Sequence, residues 1–188
     1  MPPFIRSGVT LIEMIITLAV LSIVLALSAP GAARWVRQSE IRSSAESLRS
    51  ALQRARIEAV SRNARVRVTL GDAEGRPQWQ LACVRVNAGC PAQLIQKDAD
   101  SHDKVRWGAA TAALTDFSTA LDAGSSLPGR VDFFPLGDAR QVASAIDIAR
   151  IDVFFLNDTD AGRLVVRIDS AGNVSVCDPQ AGAVGACP

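Results

Sequence analysis

The sequence predicts an α+β protein in which a long N-terminal helix, one half suited to a membrane and the other amphipathic, packs on an antiparallel β-sheet head. Three observations predict it. An apolar run of 21 residues from Val9 to Ala29 holds a single charge, Glu13. After Pro30-Gly31, apolar residues return at helical spacing as far as Ala59. Beyond Asn63 the pattern changes to short alternating runs separated by Gly- and Asp-rich turns, the mark of antiparallel strands. The organisation expected is a membrane helix over 9–29, an amphipathic helix over 30–63 and a β-rich head over 64–188.

As a helix, the run 9–29 would extend about 30 Å, the thickness of a bilayer's hydrocarbon core. The competing reading is a secretory signal, whose apolar region runs only about 7–15 residues before a small-residue cleavage site. Ala26-Leu27-Ser28 is small at both ends and could serve as such a site, but the run is longer than a signal needs and Pro30-Gly31 follows it. The preceding flank carries Arg6 and no acid. That asymmetry keeps the amino end in the cytosol and sends the rest across, into a compartment where cysteines oxidise. Glu13 is the anomaly, because a carboxylate within a bilayer needs a partner or a shallow position. It either snorkels to the interface or meets a positive charge such as a free α-amino group on a neighbouring chain.

Pro30 lacks a backbone donor, so it kinks the helix or starts a new one. Ile41, Ala45, Leu48, Leu52, Ala55 and Ala59 then follow at intervals of four and three, which places them on one helical face. The stripe reads as burial against the chain's own head, with packing between helices of a fibre as the other use. Arg62-Asn63 ends the helix, since Asn tolerates the left-handed conformation and cations suit a C-terminus. Val66, Val68 and Leu70 alternate with Arg67 and Thr69 as a half-buried strand does. Further strands are expected at about 78–86, 130–135, 150–156, 163–168 and 173–177, the last two as a hairpin. Residues 98–129, rich in Ala, Ser, Asp and Gly, read as a long loop or short irregular elements.

Composition narrows the function. Across 188 residues, 48% are hydrophobic and 21% charged, which excludes wholesale disorder. A net charge of +1 excludes a uniformly basic nucleic-acid binder. The total hides an asymmetry: residues 30–70 hold nine Arg against three Glu, and residues 71–188 are net −5. One His and no Tyr leave little material for acid–base chemistry. Asp98, Asp100, His102 and Asp103 could crowd a metal, but read better as a solvated turn. Asp158, Asp160 and Gly162 resemble half a calcium loop without its later Glu, and read as a tight turn. His102 has no nucleophile elbow beside it, and no phosphate-cradling Gly loop is present. No catalytic residue, metal or cofactor is expected. Cys83, Cys90, Cys177 and Cys187 allow three connectivities, of which short spacing favours Cys83–Cys90 and Cys177–Cys187.

Ser7-Gly8-Val9-Thr10-Leu11-Ile12-Glu13 resembles the processing motif of type IV pilins and pseudopilins. The resemblance implies a leader over 1–8, a prepilin peptidase that cuts between Gly8 and Val9, methylation of Val9, and an assembly role for Glu13. Most members begin the mature chain with Phe, so Val9 is a departure. Ala55-Arg56-Ile57-Glu58-Ala59-Val60-Ser61-Arg62-Asn63-Ala64-Arg65-Val66 is similar to the helix-to-strand corner of the GspH/FimT group of minor pilins and pseudopilins. That likeness implies a non-enzymatic subunit of a type IV pilus or its initiation and tip complex. It would sit in the inner-membrane lipid as a single pass with a periplasmic head. Its partners would be major and minor pilins and the inner-membrane assembly platform. The group also implies two alternatives, a type II secretion pseudopilin and a DNA-binding subunit of natural transformation. DNA-binding members carry a C-terminal Gly-Arg-x-Arg string, and Gly172-Asn173-Val174-Ser175 stands at the apparent match. Arg163 and Arg167 are the remaining candidates for DNA contact, at a different spacing.

Overall fold

The computed structural model describes residues 10–98, 104–111, 117–139, 148–182 and 185–187, without the side chains of 27–30. The chain divides into two units, Met1–Val36 and Arg37–Pro188. One helix, α1, spans Leu11–Ser61, and its helical backbone continues through Pro30 without starting afresh.

In the first unit the helix opens on a sequence device. Glu13 N–H donates to Thr10 Oγ1 at 3.4 Å, and Met14 N–H donates to the Thr10 carbonyl at 3.2 Å. Thr10-x-x-Glu13 has the spacing of a capping box, and the Glu13 carboxylate complements the positive end of the helix dipole. The hydroxyls of Thr17 and Ser22 donate back to the carbonyls of Met14 and Ala19, at 2.9 and 2.8 Å. They therefore make no demand on an apolar surrounding. Leu11, Ile12, Met14, Ile15, Ile16, Leu18, Val20, Leu21, Ile23, Val24 and Leu25 are all between 53% and 80% exposed. Neither Leu11–Ala26 nor Gly31–Ser61 alone is long and apolar enough to cross a membrane; together they meet the required length and composition.

In the second unit the stripe read from the sequence is the core face. Ile41, Ala45, Leu48, Leu52, Ala55 and Ala59 are buried, joined by Ala51. The helix ends as the sequence predicts. Asn63 takes a φ of 48°. Ala64 N–H reaches the Ala59 carbonyl at 3.1 Å and Asn63 N–H the Val60 carbonyl at 3.2 Å, which is a Schellman closure.

The head holds two antiparallel four-stranded sheets where the sequence reading expected one. The strands are β1 Val66–Leu70, β2 Trp79–Cys83, β3 Ile95–Lys97, β4 Val105–Ala110, β5 Gly129–Phe133, β6 Arg150–Phe155, β7 Arg163–Ile168 and β8 Val174–Cys177. Their orders are β3-β2-β1-β5 and β4-β6-β7-β8. The helical stripe and the inner residues of both sheets, among them Val66, Val68, Leu81, Phe133, Ile151 and Val153, form one core cluster. β7 and β8 make the expected hairpin. Residues 98–129 correct the sequence reading, because β4 lies within them. Its Trp107 is 1% exposed and donates through Nε1 to Ser44 Oγ on α1 at 3.0 Å. Gly108 is required there: a Cβ would lie 2.4 Å from the Asp122 carbonyl oxygen. The run predicted at 78–86 stops at Cys83, where the chain turns back through a disulfide to Cys90. A second disulfide joins Cys177 at the end of β8 to Cys187.

Candidate functional site

Two parts of the chain carry functional candidates, and they work by different physics. The first is the segment after Thr10. Gly8 and Val9 lie outside the described residues, so the cleavage and methylation positions have no geometry here. Glu13 sits in the first turn of α1, and no ion pair engages its carboxylate among the described residues. Around it the apolar side chains point outward on every side of the helix. A helix apolar all round is stable only within lipid or against other apolar helices.

The second part is the outer face of the β4-β6-β7-β8 sheet. Register brings Arg150, Arg167 and Ser175 into one row across β6, β7 and β8, and Asp152, Val165 and Cys177 into the next. Strand alternation puts all six on the face away from the core. The loop Phe117–Leu121 covers them. Asp152 is fully buried and accepts from Arg150 at 2.7 and 2.9 Å, from Arg163 at 2.5 Å and from the Leu121 N–H at 3.1 Å. The same two guanidinium groups donate to the Thr119 carbonyl at 2.9 and 3.0 Å. Arg163 also donates to the carbonyls of Phe117 and Ser118. Two arginines thus clasp a loop that has no secondary structure of its own. The Phe117 ring lies beneath Arg150 and Arg167, at 5.0 and 5.3 Å, and packs on Val165 and Cys177.

The sequence offers Arg163 and Arg167 together as candidates for DNA contact. The structure separates them. The Arg163 side chain is 9% exposed and already engaged with Asp152 and three carbonyls. Arg167 stays half-buried, 5.3 Å from the centre of the Phe117 ring and with no ion pair among the described residues. A similar cluster that sequence reasoning missed lies on the other sheet. Buried Asp132 accepts from Arg67 at 2.7 and 2.8 Å across the β1–β5 pair, and Arg65 approaches it at 3.4 Å. The Asp158 turn holds as a turn: its carboxylate caps Thr159–Ala161 and pairs with Arg37 at 2.9 Å. Asp100, His102 and Asp103 lie outside the described residues.

The β7–β8 turn is set by Asp169, whose carboxylate accepts from the Asn173 backbone at 2.8 Å and its amide at 2.9 Å. Arg56 on α1 donates to Asn173 Oδ1 at 3.2 Å and to the Ala171 carbonyl at 3.3 Å. Desolvation pushes the Asp169 carboxyl up. The Asn173 and Ala171 hydrogen bonds and the Arg56 charge outweigh it and hold the carboxyl below its ordinary value. Asp72 is also lowered: desolvation raises it, and Arg76 and Glu74 interactions more than offset this. A depressed folded value means the stabilisation is present above the unfolded value of about 3.9 and is lost as pH falls through the folded one. The thermal midpoint of the head is therefore expected to fall as pH drops below about 4. Asp169→Asn should start with a lower midpoint at pH 7 and fall less steeply, which circular dichroism melts at pH 7, 4 and 3 would measure.

Residues 5–29 match the family model described as prokaryotic N-terminal methylation motif. Such a motif at the head of an apolar helix, whose amphipathic continuation is buried in a small β head, defines a minor pilin or pseudopilin. Residues 44–172 match the family described as type II transport protein GspH, and the chain belongs to that family. Among solved structures, two crystal forms of the type IV minor pilin FimU from Pseudomonas aeruginosa are similar. One is 20% identical, covering 80% of this chain and 98% of that one with a TM-score of 0.49. The other is 19% identical, covering 77% and 98% with a TM-score of 0.44. No curated protein matches the chain in sequence.

Proposed function

We propose that the chain is a minor pilin of a type IV pilus or of its initiation and tip complex. A prepilin peptidase removes residues 1–8 and methylates Val9. Residues 9–29 then hold the protein in inner-membrane lipid as a single pass with the head in the periplasm. The assembly platform transfers it from there into the filament, among major and minor pilins. The observation that carries this reading is the segment Leu11–Leu25, apolar and outward-facing on every side, directly after a methylation motif. The description of the matching family as a type II transport protein supports a second reading, a minor pseudopilin of a type II secretion system. A deletion strain separates the two: loss of surface pili with intact protein secretion supports the first, and the opposite result supports the second.

Glu13 tests the assembly step common to both. Its carboxylate is the one charge in the apolar run, so its counter-charge is expected on another chain. Glu13→Gln keeps the capping-box chemistry and removes the charge. Membrane insertion of the monomer should be unchanged. Losing one partner of an ion pair in an apolar surrounding costs about 3–5 kcal/mol, so incorporation into filaments should fall by about a hundredfold or more. Quantitative blotting of membrane and sheared-filament fractions measures both. Wild-type incorporation would show that the carboxylate has no partner in the assembly.

A further inference from the structure

On the outer face of the second sheet, a cavity of about 230 Å³ is lined by Phe117, Arg150, Arg167, Asp169, Asn173 and Ser175, together with Ala149 and Ile168. We propose that this cavity is a binding site for a small oxyanion, a carboxylate or a phosphate, received by the edge of the Arg167 guanidinium with help from the Ser175 hydroxyl.

Three features lead to it. The first is charge. Among the described residues Arg150, Arg163 and Arg167 face one carboxylate, Asp152, which is committed to Arg150 and Arg163. Asp169, also in the lining, is held by Asn173 and feels Arg56. A positive excess remains at the cavity, in a part of the chain that is otherwise net negative.

The second feature is geometry. The Arg167 guanidinium carbon lies 5.3 Å from the centre of the Phe117 ring, and no carboxylate among the described residues engages its N–H groups. A guanidinium fixed in that way presents a fork matched to two oxygens of a carboxylate or phosphate. Side-chain ordering, usually a cost of binding, is already met.

The third feature is support. Arg167 and Ser175 are direct cross-strand partners, so the hydroxyl lies beside the guanidinium on the same face. The buried Arg150–Asp152–Arg163 cluster holds Phe117 in place, with Arg150 over its ring and Arg163 donating to its carbonyl. The site is built on strands and on a clasped loop, independently of how the membrane segment is used.

The test uses the mature full-length chain in detergent micelles at constant ionic strength. Sodium succinate and inorganic phosphate are titrated separately, followed by the Arg167 Nε–H resonance in nitrogen-15 spectra and by calorimetry. Saturable binding in about the millimolar range or tighter is expected for at least one of them. Succinate alone identifies a carboxylate ligand, phosphate alone a phosphate ligand, and both a general oxyanion site. Arg167→Gln should weaken binding about tenfold or more, the loss expected for one charged hydrogen-bonding group. Arg167→Lys, which keeps charge without the fork, should fall between. Should Arg167→Gln lower the melting temperature sharply, Ser175→Ala at the exposed rim carries the test, with binding weakened about threefold to tenfold. No saturable response to either anion up to about 50 mM, well beyond the expected range, or unaltered binding in these variants, overturns the proposal.

Discussion

Asp152→Ala is expected to destabilise the head by about 3–5 kcal/mol, the cost of removing one partner from a buried ion pair. Asp152 is fully buried, and its partners Arg150 and Arg163 are almost as deep. Alanine would leave two desolvated guanidinium groups with carbonyls as acceptors and no negative charge. It would also free the Leu121 N–H that the carboxylate now accepts. The loop Phe117–Leu121 would loosen, and Phe117 with it. Urea unfolding followed by near-ultraviolet circular dichroism, which senses buried Trp107, would measure the loss. The double variant Arg150→Met/Asp152→Ala should recover part of it, because one uncompensated charge is gone. An Asp152→Ala head as stable as wild type would mean that solvent, not Asp152, balances the two arginines.

The second large effect concerns processing. Gly8 precedes the residue whose amine the methylation motif implies is freed, and Thr10 begins the helix two residues later. A bulky side chain at position 8 should block the peptidase without touching the head. Gly8→Leu is expected to give a membrane-bound precursor retaining residues 1–8 and no detectable mature chain in filaments. The head of that precursor should melt like wild type. An intact-mass measurement of the membrane fraction distinguishes the two forms. Mature chain at wild-type levels would place the cut elsewhere.

The helix was legible because its two signals are periodic: a continuous apolar run, and a stripe at intervals of three and four that becomes the core face. Its C-terminus was legible because Asn63 is one of the few residues suited to a positive φ. β1 was legible from strict alternation. β4 was not, because Val105-Arg106-Trp107-Gly108-Ala109-Ala110 combines one β-branched residue with three small ones. Gly108 is there because a Cβ would lie 2.4 Å from the Asp122 carbonyl oxygen and 2.9 Å from Leu121 Cβ, a tertiary demand with no local signature. The same loop accounts for the burial of Arg163. Strand alternation shows that Arg163 faces away from the core, but not that Phe117–Leu121 covers that face. Arg167, four residues on and on the same face, lies at the edge of the cover and stays half-buried. The Thr10-x-x-Glu13 spacing was a readable cap signal that gives Glu13 a local role besides any role in assembly.

We propose that this GspH-family chain is a membrane-anchored filament subunit whose mature form begins at Val9. Intact-mass analysis of the wild-type protein from membranes and from sheared filaments tests it most directly. A chain starting at N-methyl-Val9 and carrying two disulfides is expected in both fractions. A soluble chain cut after Ser28 and absent from both fractions would contradict it.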